Sequence, residues 1–438
     1  MIRVSRLVSA APFVGALLYL TACSPAPSEP PAAGVTPASI ALTGARLIDG
    51  TGRAPIERST VILTDGRVSA VGAADTVDIP PGAERLDVSG MTIIPGLINA
   101  HAHLNNGDPA APAREQLLSQ LRLYADYGVT TVYSLGDDGD TSIAVRNEQA
   151  GGALDGARLF VSGVGVTPAT VQEARQTIDG HADSGVDIIK TRLEGNPNDM
   201  APEVYQALIA RAHERGLRVA AHIFYLDDAN ALIDASVDIL AHSVRDQDVD
   251  QGFIDRLNAR GIGYIPTLTR DLSVFVYEAT PAFFEDPFFL RGVESFAPNR
   301  AQVDQLRDPE LQARTRASAQ AQAIKPALEQ ANRNLKRLAD GGVAIAMGTD
   351  SGTSLGRWQG YFEHYELAMM VDAGLTPMQA LVAATGDAAR VMRLDEVGTL
   401  EAGKWGDLLV LDANPLDDIR NTRRIDSIWM AGRHIGGE

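Results

Sequence analysis

Eight short apolar segments recur along the middle of the chain, and stretches with helical periodicity or turn residues separate them. Strands that alternate with helices in this way predict parallel strands joined by crossover helices. Eight such units between residues 97 and 395 predict an α/β fold, a TIM-like (β/α)8 barrel. The eight segments are GLINAHAHL (96–104), VTTVYSL (129–135), ARLFVSG (157–163), VDIIK (186–190), LRVAAH (217–222), VDILAH (237–242), IGYIPTL (262–268) and VAIAMGTD (343–350).

The regions on either side of the predicted barrel have a different pattern. Residues 39–96 and 396–438 combine β-forming residues with glycine and Asp-Gly turns, which predicts a small β-sandwich domain built from both chain ends. Two separate β appendages are the alternative. Within the barrel, residues 270–340 are too long for an ordinary crossover, so we expect a helical insertion there, with a lid as one role for it.

The first residues resemble a bacterial lipoprotein signal. Two arginines precede an apolar run at 8–20, which ends in Leu-Thr-Ala-Cys. We expect residues 1–22 to be a signal peptide, Cys23 to be acylated, and the Pro/Ala-rich residues 23–38 to be an extended tether. A plain signal peptide is the alternative. If Cys23 is acylated, we expect the protein to be exported and lipid-anchored in the cell envelope, facing the periplasm, and to contact the membrane only through this anchor.

The charge limits the classes of partner. The chain has 38 Lys and Arg against 56 Asp and Glu, a formal net charge of −18. Nucleic-acid binding needs a basic face, so we expect no nucleic-acid partner. A small molecule or a short peptide is the expected partner, and assembly into a homo-oligomer stays open.

Ionisable residues lie at the ends of the apolar segments. In a barrel these strand ends meet at one face, so their side chains converge there. A buried cluster of imidazoles, an ammonium and a carboxylate is costly without partners, and a divalent metal, Zn²⁺ above all, satisfies such nitrogen and oxygen ligands. The alternatives are incidental strand histidines, a turn aspartate, and a lysine that pairs with Glu194. The six residues are His101, His103, Lys190, His222, His242 and Asp350.

These motifs resemble the amidohydrolase superfamily. The resemblance rests on IIPGLINAHAHL, the lysine of VDIIK, AAH, LAH and GTDSG, and on the passage at 375–416. The most similar subgroups are the imidazolonepropionase-related amidohydrolases and the metal-dependent Xaa-Pro dipeptidases (prolidases). The resemblance implies a metal-dependent hydrolase on a (β/α)8 barrel.

The resemblance also implies roles for the ligands. His101, His103 and Asp350 match ligands of the more buried metal, and His222 and His242 match ligands of a second metal. In members with one metal, the residue matching His222 joins the first metal and the residue matching His242 polarises the substrate carbonyl. One or two divalent metals per chain are therefore expected.

Lys190 matches the lysine that CO2 converts to an N-carboxylated bridge in members with two metals. The implied reaction is attack of a metal-activated hydroxide on an amide-type C–N bond of a small peptide, an N-acyl amino acid or a cyclic amide, with Asp350 and His242 as catalytic residues. Hydrolysis of a lactone or ester at the same site, and a non-catalytic surface-anchored binding protein, are the alternatives.

Three residues just beyond strand ends are candidate substrate contacts. Arg192, Tyr225 and Arg245 lie where the loops of a barrel face its pocket. An arginine there pairs with a substrate carboxylate through two hydrogen bonds. For Arg245 the alternative is a surface ion pair with Asp246 or Asp248.

Overall fold

The computed structural model describes residues 39–149 and 156–437. The predicted signal peptide 1–22, the acylated Cys23 and the tether 23–38 lie outside the described residues and stay predictions. In the part of the chain that is described, no helix has the length and apolar character needed to cross a membrane.

The strands fall into a terminal group and a central group. They are, in chain order, β1 (Ser39–Thr43), β2 (Arg46–Leu47), β3 (Ser59–Thr64), β4 (Arg67–Ala73), β5 (Glu84–Asp87), β6 (Thr92–Pro95), β7 (Leu97–Ala102), β8 (Val129–Ser134), β9 (Arg158–Val161), β10 (Ile189–Arg192), β11 (Val219–His222), β12 (Ile239–Ala241), β13 (Gly263–Ile265), β14 (Leu408–Leu411), β15 (Ile425–Met430) and β16 (Arg433–Gly437).

Helices separate the central strands and extend beyond them. They are α1 (Ala113–Asp126), α2 (Asp140–Gln149), α3 (Val171–Ser184), α4 (Pro202–Glu214), α5 (Leu226–Asp234), α6 (Gln251–Arg260), α7 (Leu268–Leu272), α8 (Pro287–Ser295), α9 (Ala297–Leu306), α10 (Pro309–Ala317), α11 (Ala319–Asp340), α12 (Tyr361–Asp372), α13 (Pro377–Ala383) and α14 (Gly386–Met392). Three short 3-10 helices span Val276–Glu278, Ala282–Glu285 and Ile419–Arg423.

The terminal strands form two sheets, and one of them combines both chain ends. The first sheet has the order β4-β3-β1-β5, and the second has the order β16-β15-β14-β6-β2. In the second sheet β14 pairs antiparallel with β6, with Leu408 opposite Pro95. Apolar side chains from both sheets, among them Leu42, Val61 and Trp429, share one core. The prediction of a β-sandwich built from both chain ends is confirmed.

The central strands are parallel and close into a barrel. One sheet has the order β7-β8-β9 and the other the order β10-β11-β12-β13. A parallel bridge between Val166 and Thr191 joins β10 to the segment that follows β9. The predicted (β/α)8 architecture is confirmed, because the strands are parallel, helices connect them and the two sheets join into one barrel. All the strand ends therefore lie at one face.

The eighth apolar segment differs from the predicted strand. Residues 343–350 form isolated parallel bridges in place of a continuous strand, with Ile345 paired to Tyr264 and, just beyond, Ser351 paired to Ala102. The Met347 N–H donates to the carbonyl of Ala383 at 2.6 Å, outside the strand ladder. The segment still closes the barrel, but its backbone is irregular where it reaches the site described below.

The predicted insertion is helical and rich in aromatic residues. Phe284 stacks on Phe289 with ring centroids 5.3 Å apart, and both rings pack edge-on against Trp358. Trp358 lies in the loop that follows the eighth segment, so the insertion packs beside the strand ends. Its role as a lid stays a prediction.

The barrel interior has an apolar layer directly below the polar strand ends. Its fully buried members include Ile188 and Ala220. Side chains two residues apart on a strand point to the same face. Lys190 and His222 follow these two residues at that spacing, so they lie above the apolar layer at the carboxyl ends of β10 and β11.

Candidate metal centre and active site

Two histidines of the first strand and the aspartate of the eighth segment converge on one point. Among the described residues, His101, His103 and Asp350 offer ligand atoms that all lie within 4.8 Å of one another. Asp350 Oδ1 is 3.3 Å from His101 Nε2 and 2.9 Å from His103 Nε2. All three residues are buried, with at most 6% of their surface exposed. Two imidazole nitrogens and a carboxylate oxygen in this arrangement suit a divalent metal.

The surroundings of the two imidazoles fit a bound metal. The Nδ1 atoms of His101 and His103 have no hydrogen-bond partner among the described residues, and the shortest polar contacts of both rings are made through Nε2. Burial lowers the pKa of His101 well below its usual range, and the nearby Lys190 lowers it further. A neutral imidazole offers a lone pair, which is the form that ligates a metal.

Lys190 is buried beside the same cluster. Its Nζ lies 3.4 Å from His101 Nε2, and the residue is 7% exposed. Burial lowers the pKa of Lys190 to about 8, although the charges of Asp350 and Glu194 partly offset this effect. A neutral amine is therefore accessible near neutral pH. Lys190 does not pair with Glu194, in contrast to the alternative considered from the sequence.

His222 ends β11 and contacts a carboxylate that the sequence did not assign to the site. Its Nε2 lies 2.5 Å from Glu194 Oε1. The contact with His222 lowers the pKa of Glu194 to about 2, against the effect of burial. Burial in turn lowers the pKa of His222 to about 4. At neutral pH the pair is a carboxylate and a neutral imidazole.

His242 lies between the other imidazoles. Its ring centroid is 4.6 Å from that of His101 and 3.9 Å from that of His222. Its Nδ1 shares a hydrogen bond of 2.6 Å with the hydroxyl of Thr267, so Nε2 is the ring nitrogen available to a metal or substrate. Burial lowers the pKa of His242 well below its usual range.

Backbone strain concentrates at these strand ends. His242, Thr267 and Asp350 have positive φ angles of 70°, 49° and 59°. Residues other than glycine rarely adopt this left-handed conformation, and it persists where the surrounding structure imposes it, often at functional sites. Each of the three turns follows a barrel strand or, for Asp350, the irregular eighth segment, and it directs a polar side chain towards the cluster.

Two arginines neutralise the other oxygen of Asp350. Arg357 Nη1 donates to Oδ2, and Arg270 Nε lies 4.0 Å from the same atom. Burial alone would raise the pKa of Asp350, but Arg357, His101 and His103 together hold it well below its usual range. Asp350 is therefore ionised at neutral pH.

A cavity of about 280 Å³ opens beside the cluster. His103, Lys190 and His222 line it, and so does the exposed Arg192. Tyr225 is 41% exposed, packs against Phe224 and is not among the lining residues of this cavity. The structure thus places Arg192 at the cavity but not Tyr225.

The expectation for Arg245 requires a correction. Its side chain is fully buried and pairs with Asp271 at 2.5 Å, and it also donates to the carbonyl of Ile223 at 2.8 Å. The guanidinium lies over the ring of Phe224, 4.6 Å from the centroid. The side chain of Arg245 is thus held in a buried ion pair and is not among the residues that line the cavity, and it does not pair with Asp246 or Asp248.

Several polar neighbours of the cluster were not predicted from the sequence. Arg270 lies two residues beyond the seventh segment, which is the same kind of position as those of Arg192 and Arg245. Arg357 gives no comparable signal, because it lies in an irregular loop. Thr267 and Glu194 could be placed near strand ends from the sequence, but their contacts with His242 and His222 could not be predicted from it.

Comparisons with known proteins agree with this geometry. An uncharacterised protein of Mycobacterium tuberculosis is 28% identical over 225 residues, which cover 47% of this chain and 56% of that protein. The chain thus matches little more than half the length of this relative. Imidazolonepropionase of Mycolicibacterium smegmatis is 24% identical over 380 residues, which cover 81% of this chain and 84% of the enzyme. A solved structure of a candidate prolidase from Bifidobacterium longum is 26% identical, with a TM-score of 0.74 over 92% of this chain and 96% of that one.

The family assignment covers most of the chain. The model of the amidohydrolase family matches residues 92–435, which include the whole barrel and the returning β-strands. The match extends over every residue of the cluster described above. The chain therefore belongs to the amidohydrolase family, and its buried His101, His103 and Asp350 form a group that could hold a divalent metal.

Proposed function

We propose that the protein hydrolyses an amide-type C–N bond in a small substrate, such as a short peptide, an N-acyl amino acid or a cyclic amide. The observation that carries the proposal is the convergence of His101, His103 and Asp350 beside a cavity that also exposes Lys190 and His222. When bound, a divalent metal supplies Lewis acidity and lowers the pKa of a coordinated water towards about 7. We propose Zn²⁺, because imidazole and carboxylate ligands without cysteine suit a catalytic zinc site.

Asp350 is the proton carrier in this proposal. Its carboxylate is ionised at neutral pH, so it accepts the proton of the attacking water as a general base. The same carboxylate then passes that proton to the leaving nitrogen. Arg357, on the opposite oxygen, keeps Asp350 oriented while the proton moves.

His242 stabilises the substrate carbonyl in this proposal. The bond between its Nδ1 and Thr267 fixes the ring, so Nε2 is oriented by the backbone turn that follows β13. A hydrogen-bond donor placed where negative charge develops lowers the barrier because it needs no reorganisation.

We further propose that the substrate carries a free carboxylate, which Arg270 and Arg192 recognise. Arg270 Nε is buried and has no hydrogen-bond partner among the described residues, while its Nη1 donates to Asp271 at 2.8 Å. Arg192 is exposed at the cavity wall. The role that the sequence suggested for Arg245 thus passes to Arg270, whose side chain reaches Asp350.

The variant Arg270→Gln tests this preference. For wild type, we expect an N-acetyl amino acid to be hydrolysed with a kcat/KM about 10- to 100-fold above that of its carboxamide analogue, the size of one hydrogen bond to a charged group. In Arg270→Gln this ratio should fall towards one, mainly through KM. The exposed Arg390, which pairs with Asp387, supplies the control, because Arg390→Gln should keep the wild-type ratio. An Arg270→Gln variant with an undiminished preference would refute the assignment.

We also propose that the neutral amine of Lys190 adds CO2 and releases a proton, and that the carboxylated side chain would serve as a bridge that helps to hold two metals. A buried ammonium is repelled by neighbouring cations, and the lowered pKa of about 8 provides a neutral amine able to react with CO2. The resulting anion would face His101 on one side, with His222 and His242 available to a second metal.

Lys190→Ala tests the bridge. We expect two metals per chain to fall to one or none, with activity partly restored by short carboxylic acids that occupy the place of the missing bridge. Metal analysis and turnover with added acetate or propionate measure both effects. Lys336→Ala is the matched control, since Lys336 is exposed and pairs with Asp340. A wild type that is fully active with one metal, together with a Lys190→Ala variant that behaves identically, would exclude the bridge.

A further inference from the structure

Two buried carboxylates on α12 take no part in the chemistry above. Glu363 and Glu366 are both 0% exposed, and they lie three residues apart, so they share a face of the helix. A buried carboxylate is costly unless hydrogen bonds satisfy it, so the partners of each glutamate indicate its role.

Glu363 binds three side chains through one oxygen. Its Oε1 accepts hydrogen bonds from Asn99 Nδ2 at 2.5 Å, from Ser351 Oγ at 2.7 Å and from Thr349 Oγ1 at 2.9 Å. Asn99 belongs to β7, and the other two belong to the end of the eighth segment. This carboxylate therefore links the first and last units of the barrel where the closure is irregular.

Each of those three partners adjoins a metal ligand. Asn99 Oδ1 accepts from the backbone N–H of His101 at 3.0 Å. Thr349 and Ser351 flank Asp350, whose own N–H donates to the carbonyl of His101 at 2.7 Å. The network thus fixes the distance between the ligand from the first strand and the ligand from the eighth segment.

Glu366 makes a separate set of contacts one turn along the helix. Its Oε1 accepts from the N–H of Leu268 at 2.7 Å, and its Oε2 accepts from the N–H and the hydroxyl of Thr269, each at 2.7 Å. These residues directly follow Thr267, which has a left-handed backbone conformation and whose hydroxyl forms the hydrogen bond with Nδ1 of His242. Glu366 therefore fixes the loop after β13.

We propose that Glu363 and Glu366 are positioning residues that hold the two halves of the site from one helix. Glu363 sets the geometry of His101 and Asp350 at the metal, and Glu366 sets the orientation of His242 at the substrate. The proposal rests on the metal-dependent function proposed above. It predicts that the two glutamates have different effects, one on metal affinity and the other on turnover.

The test measures Zn²⁺ affinity by equilibrium dialysis and turnover at saturating Zn²⁺. For Glu363→Ala we expect the affinity to fall by about 10- to 100-fold, the usual cost of losing a partner of the metal ligands, and for Glu363→Gln most of it to return because the amide oxygen still accepts. For Glu366→Ala we expect an affinity within about threefold of wild type, with kcat lowered about tenfold or more.

His364 provides the matched control on the same helix. It is fully buried, and its ring contacts Thr422 at 2.9 Å and the carbonyl of Tyr127 at 2.8 Å, away from the cluster. His364→Ala should lower the melting temperature of the metal-free protein as the glutamate variants do, but it should leave the Zn²⁺ affinity unchanged. A purely structural role for the glutamates predicts the same result for all three variants.

Each of the two positioning roles has outcomes that would overturn it. Equal Zn²⁺ affinities in Glu363→Ala and His364→Ala would remove the role of Glu363, and an unchanged kcat in Glu366→Ala would remove that of Glu366. If Glu363→Ala does not fold, Asn99→Ala carries the test, because it breaks the link to His101, and an unchanged affinity there contradicts the proposal. A wild type that binds no Zn²⁺ would overturn the proposed function as well, whereas equal Zn²⁺ binding by every variant overturns the role of Glu363 alone.

Discussion

Replacing His103 by alanine is expected to remove the metal from the buried site and to lower turnover by about 1,000-fold or more. One imidazole supplies a large part of the binding free energy in a set of three ligands. Without the metal, the transition state loses several kcal/mol of stabilisation. Because His101 Nε2 and His103 Nε2 both lie within 3.3 Å of Asp350 Oδ1, we expect the same result for His101→Ala. Metal per chain and kcat, measured on the same preparations, test the expectation.

His213 supplies the control for these two variants. It is partly exposed and pairs with Asp238 at 2.9 Å, and it is not part of the cluster. His213→Ala should keep the wild-type metal content and turnover. Full metal occupancy and near-normal turnover in His103→Ala would show that the metal site is assigned to the wrong residues.

Replacing Asp350 by asparagine is expected to lower kcat by about 100- to 10,000-fold while part of the metal remains bound. The amide oxygen still ligates, although more weakly, but the group no longer accepts a proton, and general base catalysis contributes about this factor. The variant therefore separates binding of the metal from proton transfer. Metal analysis and kcat at saturating metal measure the two effects.

Asp137 is the matched carboxylate for this test. It lines the same cavity and lies 3.9 Å from His103 Nδ1, but its side chain is 60% exposed and it is not part of the tight ligand group. Asp137→Asn should change kcat much less than Asp350→Asn does. If the two variants lose activity to the same extent, Asp350 is not the proton carrier.

The strand ends explain why the main cluster was predictable from the sequence. Apolar segments show where strands end, alternation shows that His101 and His103 share a face, and barrel topology brings the ends together. Each of these signals is local or follows from the order of elements. The structure accordingly brings the predicted histidines together with Asp350 and Lys190.

Long-range pairing explains the residues that could not be predicted. Arg245 follows a strand end as Arg192 does, but Asp271, 26 residues later, takes it into a buried ion pair. The eighth segment has the composition of a strand, yet a hydrogen bond from Met347 to α13 diverts its backbone. The periodicity of the sequence predicts neither contact, because both depend on how segments that are distant along the chain pack together.

The buried glutamates of α12 illustrate the same limit. On the sequence, Glu363 and Glu366 belong to an ordinary helix, where charged residues usually face solvent. Their burial becomes evident only when the helix packs against the ends of the first, seventh and eighth barrel units. A charged pair on an otherwise apolar helix after the last barrel segment is the signal that could have found them.

Removal and restoration of the metal tests directly whether hydrolysis depends on it. Purified protein is stripped with a chelator, reloaded with Zn²⁺ in known amounts, and assayed with a library of dipeptides and N-acyl amino acids. We expect hydrolysis to disappear with the metal and to return in proportion to added Zn²⁺, with saturation at one or two metals per chain. Metal-free protein that hydrolyses the same substrates at the rate of the reloaded protein would contradict it.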